Sequence, residues 1–323
     1  MNHLQLISSL QDKIRASLDP LHGGRDLVLL DFPDHSNVGD SAIWLGEDAY
    51  FRDRGRKVRF ASALHNHRFD AMPQLRPGEA VYLHGGGNFG TIWPAHQAFR
   101  IDVLRKCRGT PVVQLPQSIH FASEADVAET AQAIAEHGDF TLMVRDLPSE
   151  AFARKHFDCR IILCPDLAFY IGPLARQAAS VDYLCLLRTD LERVARDDSV
   201  ATDRRVIVTD WLEEDKKAVR RRRTISRVKH RLTGAGGNRY GVYRDVAQLR
   251  LDRGIGTLSK GRVVITDRLH GHIMCTLLGI PHVVLDNSYR KIGNFIDVWT
   301  AELDTLRSAT DMAGAIEAAE TLL

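Results

Sequence analysis

The 323-residue chain has no run of 18 apolar residues. Met1 to Leu18 alternates polar and apolar positions at helical spacing, without the apolar core of a secretory leader. The expectation is a cytoplasmic protein with no membrane span, at most peripheral at the inner face of the membrane. Cysteine is scarce. Cys107, Cys159, Cys164, Cys185 and Cys275 are odd in number and scattered, and no CxxC occurs. That argues against a disulfide framework and a zinc ribbon, and most of the five read as small buried hydrophobes. No His stands with Cys or a carboxylate at a metal-binding spacing. His270 and His272 are two apart and point to different sides of any regular element. Neither an essential metal nor another cofactor is therefore expected. Serine-nucleophile and P-loop signatures are missing too, as are internal repeats and long low-complexity tracts.

What is present is ordinary globular material, 44% hydrophobic and 26% charged. The length favours two domains. Strand-like apolar runs occur at Asp26–Phe32, Lys57–Ala61, Ala80–His84, Pro111–Leu115, Phe140–Arg145 and Arg160–Cys164. Helical patterns such as Ala42–Arg54 and Ser123–His137 lie between them. A second set of strands follows at Asp182–Leu187, Arg205–Thr209, Arg262–Thr266 and His282–Leu285. Consecutive apolar positions suit strands buried on both faces, and the alternation with helices suits parallel sheets. The predicted class is α/β, with two Rossmann-like domains. The best linker is Ile171–Ser180, which places the domains at 1–175 and 176–323. Thr300–Leu323 reads as one or two amphipathic helices, available to pack back on the first domain.

Net charge is +2 but uneven, because Lys216–Arg231 carries nine Lys or Arg and no acid. Without those nine charges the rest of the chain stands near −7. One basic patch on an acidic protein does not describe a general nucleic-acid binder, so no nucleic acid is expected. Ile225, Val228 and Leu232 fall at i, i+3 and i+7 within and just beyond the run. Part of it reads as an amphipathic helix for anionic headgroups or a pyrophosphate-linked substrate, and equally as a solvated loop.

Polar motifs gather where strands end, which is where open parallel sheets bind ligands. Asn37-Val38-Gly39-Asp40 precedes a helix expected to start near Ala42, and suits either an anion site or a cap from Asp40 or Ser41. His84-Gly85-Gly86-Gly87-Asn88-Phe89-Gly90 formally contains GxGxxG, but the next strand ends Gln114-Leu115-Pro116-Gln117 without the ribose-binding acid. Dinucleotide binding is discounted, leaving close backbone approach to a ligand or a plain tight turn. Pro116-Gln117-Ser118 and Pro165-Asp166 end two further strands. In the second half, Leu187-Arg188-Thr189-Asp190 and Thr266-Asp267-Arg268-Leu269-His270-Gly271 do the same. Arg268 offers a planar fork for carboxylate or phosphate, His270 a proton near neutrality, and Gly271 with its neighbours a helix N-terminus. The alternative is an Arg268 paired with Asp267 or Asp286 and a His270 that caps. Arg188 at a matching strand end, and Lys291 after the next strand, favour a cationic anion pocket.

These motifs together resemble the polysaccharide pyruvyltransferases, and among them the bacterial exopolysaccharide ketal-pyruvyltransferases. The resemblance runs from Leu27 to Phe295 through NVGDSAI at 37–43, HGGGNFG at 84–90, PQSIHF at 116–121, VRD at 144–146, PDLAF at 165–169, LLRTD at 186–190 and TDRLHGHI at 266–273. It implies a GT-B-like fold with parallel sheets facing an interdomain cleft. It also implies phosphoenolpyruvate as co-substrate, and a pyruvate ketal placed on two hydroxyls of a saccharide acceptor, lipid-linked or free. The RLH triplet places Arg268, Leu269 and His270 at the donor, with Arg188, Lys291 and Gly271 beside them. Asn37, Gly39, Gly86, Gly87, Asn88 and Gln117 are then candidates for the acceptor side of the cleft. His270 is the candidate acid, with Asp267 or Asp286 as its carboxylate partner, and Asp40 the candidate base. The resemblance gives no role to the basic run. Two other readings compete: a nucleotide-sugar glycosyltransferase on the same fold, and a non-catalytic membrane- or polyanion-binding protein acting through residues 216–231.

Overall fold

The computed structural model describes residues 1–21, 26–189, 203–232, 238–286 and 290–323. The fold is α/β, built on two parallel sheets. The first comprises β1 (Leu27–Leu30), β2 (Val58–Ser62), β3 (Ala80–Leu83), β4 (Gly86–Gly90), β5 (Val112–His120), β6 (Phe140–Val144) and β7 (Arg160–Leu163). Its order is β2-β1-β3-β5-β6-β7, with β4 against the far half of β5. The second comprises β8 (Val181–Leu186), β9 (Val206–Thr209), β10 (Gly261–Thr266), β11 (His282–Leu285) and β12 (Leu306–Ala309), in the order β12-β11-β10-β8-β9. Strand order reverses between β1 and β3 in one sheet and between β8 and β10 in the other. At such a reversal, successive loops diverge and leave a crevice at the carboxyl ends.

Ten α-helices are described: α1 (His3–Leu18), α2 (Val38–Asp53), α3 (Pro94–Lys106), α4 (Glu124–His137), α5 (Leu147–His156), α6 (Lys216–Leu232), α7 (Tyr240–Leu258), α8 (Leu269–Leu278), α9 (Lys291–Trp299) and α10 (Met312–Glu320). The near-continuous apolar strands are explained by cores on both faces. Leu27 and Leu29 enter one core and Val28 and Leu30 another, as a pleat demands. Each fully buried leucine of this kind contributes about 1.5–3 kcal/mol. The first of these cores is shared: it unites Leu27 and Leu29 with Leu184, Leu186 and Val264 of the second sheet, through side chains of α1, α2, α7 and α8. The helical stripe of α1 (Leu6, Ile7, Leu10, Ile14, Leu18) is fully engaged in it. A third core lies beneath α10, where Met312, Ala315 and Ile316 meet Tyr183 and Val263. Trp299 at the end of α9 donates its indole N–H to the Arg145 carbonyl at 2.8 Å, tying that helix to the first sheet.

Several expectations needed correction. The helix after β1 starts at Val38 rather than near Ala42, and its N-cap is Asn37, which accepts from Gly39 N at 3.0 Å. Asp40 and Ser41 lie inside its first turn. The glycine stretch is not only a turn. Gly86–Gly90 is a strand beside Gln117–His120, possible because a Cβ on Gly90 would come within 1.9 Å of the His120 carbonyl oxygen. β5 accordingly runs past Pro116, over an irregularity in its pairing with β6 between Gln114 and Gln117. The carboxyl-terminal segment contains one described helix, α10, preceded by edge strand β12, too short for a two-sided pattern to stand out. The basic run, open to two readings in the sequence, is helical as α6. Cys107, Cys164, Cys185 and Cys275 are buried free thiols and Cys159 is half-buried. No helix among the described residues is long and apolar enough to cross a membrane.

Candidate active site

Both strand-order reversals open onto one cavity of about 390 Å³. From the first sheet come the loop after β1, the Gly-rich segment after β3, and Arg145 at the end of β6. From the second come Arg188 after β8, Trp211 after β9, and Arg268-Leu269-His270 after β10.

The wall on the first sheet sets Asp31 and Asp40 among His35, His84, His96 and Arg145. Asn37 caps α2 with its carbonyl oxygen and donates its amide to Asp40 Oδ2 at 2.8 Å. Burial alone would raise the Asp40 carboxyl, but His35, His270, His84 and Arg145 outweigh it and hold the group ionised, below its usual range. Behind it, His84 shares a fully buried contact with Glu47, Nδ1 lying 3.0 Å from both carboxylate oxygens. Burial pushes His84 down, yet Glu47, Asp40 and Asp31 more than compensate, so its pKa is raised. Its Nε2, also buried, has no hydrogen-bond partner among the described residues, and His84 lines the cavity. A second dyad joins His96 Nδ1 of α3 to Asp31, 2.8 and 3.0 Å from its two oxygens. Asp31 is buried with φ of 69°, a left-handed conformation that an aspartate tolerates better than most residues.

The opposite wall is cationic. Arg268 is 3% exposed, and its Nη2 donates to Asp210 after β9 at 2.6 Å. It immediately precedes α8 but lends no side chain to that helix's first N–H groups. The start of α8, with Leu269 and His270 on the cavity, keeps the partial positive charge of an open helix end. Asp267 accepts from Arg188 N at 2.9 Å and so fixes the backbone that presents Arg188. His270 Nε2 lies 3.4 Å from Asp166 Oδ2, an ion-pair distance, and Arg145 Nη1 donates to the same oxygen at 2.7 Å. Burial would raise Asp166, but His270, Arg145 and the Ala168 N–H together hold it well below the carboxylate range.

Two sequence expectations are thereby redirected. The carboxylate facing His270 is Asp166, from the first sheet, not Asp267 or Asp286. The latter accepts instead from Ile292 N and Gly293 N at the start of α9. Arg268 pairs with neither Asp267 nor Asp286 but with Asp210. Of the other residues singled out, Asn37, Asp40, Gly87, Asn88, Arg188, Arg268, Leu269 and His270 line the cavity. Gln117 is fully buried and positions Asn88, accepting from its N–H at 3.0 Å and donating to its side-chain oxygen at 2.9 Å. Gly86 (φ 133°) lies behind Asp40. Gly271 sits inside α8 against Thr266, whose hydroxyl would be 2.4 Å from a Cβ there. Lys291 opens α9; its side chain, like Asp190 and residues 287–289, lies outside the described residues.

Gly39 connects the two motifs that matter most. A Cβ there would stand 2.5 to 2.7 Å from Cγ, Cβ and Nδ1 of His270, so only glycine lets the start of α2 close over that ring. Gly39→Ala is expected to displace the imidazole and lower kcat by about a hundredfold. The fold should lose only about 1–3 kcal/mol. Turnover measured beside a melting curve checks this; unchanged turnover would show that His270 need not sit where it does.

The profile of the polysaccharide pyruvyl transferase family matches residues 37–289. The chain is similar to Pyruvyl transferase 1 of Schizosaccharomyces pombe, 32% identical over 298 residues, covering 86% of this chain and 70% of that protein. It is also 29% identical over 304 residues to EpsO of Bacillus subtilis, provisionally named a pyruvyl transferase, with 93% of each chain covered. The crystal structure of a functionally uncharacterised Klebsiella pneumoniae protein shares the fold, with a TM-score of 0.63 and 18% identity, over 93% of this chain and 98% of that one.

Proposed function

Because the chain belongs to the polysaccharide pyruvyl transferase family, and so to enzymes that transfer pyruvyl groups to saccharide, we propose that it takes pyruvate from phosphoenolpyruvate and sets it as a ketal on two hydroxyls of one sugar. The acceptor is an exopolysaccharide repeat unit or its precursor, lipid-linked or free. The observation that carries this reading is the unlike chemistry of the two helix starts on the cavity. α2 is closed by Asn37 and carries Asp40 in its first turn. α8 is open, with Arg268 and Arg188 alongside. A donor bearing a carboxylate and a phosphate is attracted to the second and repelled by the first. Sugar hydroxyls suit the Asp40 side, where exposed Trp93 offers a flat apolar surface to a ring. Like strand order in the two sheets supports reading residues 1–175 and 176–323 as two Rossmann-like units, arranged around the cavity in a GT-B-like way.

In this reading His270, as imidazolium with ionised Asp166 as its counter-charge, protonates the methylene carbon of the donor. The adjacent carbon gains oxocarbenium character and accepts the first hydroxyl, whose proton passes to Asp40. Arg268, Arg188 and the open N–H groups of α8 stabilise the phosphate as its C–O bond breaks. Arg145, also on the cavity, holds the carboxylate. The second hydroxyl closes the ketal, and its proton leaves with phosphate. One phosphoenolpyruvate and one diol yield one ketal and one inorganic phosphate.

The test is phosphate release from phosphoenolpyruvate over a panel of hexoside acceptors, with product mass recorded. The expected result is one phosphate for each ketal formed, and no product when a UDP- or GDP-sugar replaces phosphoenolpyruvate. A melting temperature raised by nucleotide sugar but not by phosphoenolpyruvate would sink the proposal.

A further inference from the structure

Among the described residues, the buried side chains of α6 lie along one side of the helix. Val219 and Ser226 are its buried residues, Ser226 donates to Asp245 of α7 at 2.6 Å, and Arg223 pairs with Asp34. At 100° per residue, these three lie within one 60° sector, and the opposite side of the helix carries Ile225, Val228 and Leu232. Those three are 53%, 56% and 82% exposed. Arg221 lies at the amino-terminal end of this stripe, Arg222 flanks it on one side, and Arg220, Arg227 and Arg231 on the other. No acidic residue falls within the helix. On the latter flank a cavity of about 580 Å³ opens between α6 and Asp34, lined further by Arg227, Arg231 and Arg239. Pro33 and His35, the neighbours of Asp34, line the catalytic cavity.

We propose that the outward face of α6 docks the protein on an anionic lipid bilayer, with Ile225, Val228 and Leu232 among the acyl chains and the flanking arginines on lipid phosphates. Three exposed aliphatic residues in a row are a cost in water that an acyl layer removes. The bordering cations match an anionic surface on both sides, the pattern of a helix lying in a membrane interface. A second copy of this chain would bring one basic helix against another. A soluble anionic polymer would satisfy the charge and leave the apolar stripe wet. Docking there leaves the Pro33–His35 loop and the catalytic cavity on the protein side of α6, so that an acceptor carried on a lipid approaches past the flank of the helix lined by Arg227 and Arg231. The proposal does not depend on the reaction proposed above, since binding is read without turnover.

Co-sedimentation of the full chain with phosphatidylcholine vesicles, with and without phosphatidylglycerol, tests it. The wild type is expected on the phosphatidylglycerol vesicles and not on phosphatidylcholine alone. The triple variant Ile225→Gln, Val228→Gln, Leu232→Gln should weaken binding at least about tenfold. Arg220→Gln, Arg221→Gln, Arg222→Gln should weaken it about a hundredfold. All six positions are exposed, so melting temperatures should stay near that of the wild type. Failure of the wild type to bind overturns the proposal. So does undiminished binding by the apolar triple variant together with full displacement by heparin, which would mark α6 as a polyelectrolyte site.

Discussion

His270→Ala should lower kcat by about 10²- to 10⁴-fold, the range for loss of a positioned proton donor, while binding of phosphoenolpyruvate changes little. The separation follows from the geometry. Imidazole Nε2 faces Asp166, and the ring fills the space left by Gly39, so its position is fixed from both sheets. In the proposed reaction donor attraction instead rests on Arg268, Arg188 and the backbone of α8, none of which the substitution removes. The informative comparison is His270→Gln, which keeps a polar side chain of similar reach but cannot supply the proton. It should be as slow as alanine. Donor affinity by calorimetry and single-turnover phosphate release together decide the matter. Near-normal phosphate release in either variant, with donor and acceptor present, would remove His270 from the chemistry.

Arg268→Ala should abolish measurable donor binding and lower kcat/KM by about 10²- to 10³-fold. It should also destabilise the protein by about 3–5 kcal/mol, because Asp210 would be left as a buried charge without its cation. The two effects can be separated. Arg268→Ala combined with Asp210→Asn removes both charges and should recover much of the stability, but none of the binding. Arg268→Lys keeps the charge without the planar fork, and should fall between wild type and alanine in donor affinity. Recovery of activity in the double variant would mean that Arg268 serves only the fold.

The sequence made both sheets legible where apolar runs end in polar residues, because strands buried on two faces leave an unmistakable pattern. β4 and β12 escaped for opposite reasons. Gly86–Gly90 has almost no side chains to form a pattern, and Leu306–Ala309 covers only one edge. In the site, Arg268, His270, Arg188 and Asp40 were marked by their places at strand ends. Their partners were not. Asp166 meets His270, and Asp31 meets His96, only after remote segments are brought together, and nothing local announces such pairs. His84 illustrates the difference further: as a letter before three glycines it looked like part of a turn, whereas Glu47, buried one layer behind, holds its pKa above the usual histidine range. Arg145 stood in a quoted motif, yet its double attachment to Ser118 and Asp166 is a tertiary fact.

Asn37 closes one helix start, and Arg268 leaves the other open. Across a cavity of this size the difference amounts to a standing electric field, directed from α8 toward Asp40. A molecule with an anionic head and a neutral tail experiences a torque in that field before it touches either wall. Reversed entries are thus disfavoured during approach, by long-range forces, rather than by rejection after contact. Added salt weakens such steering at the mouth far more than contacts inside, so ionic strength acts on how fast substrates are captured more than on how firmly they are held.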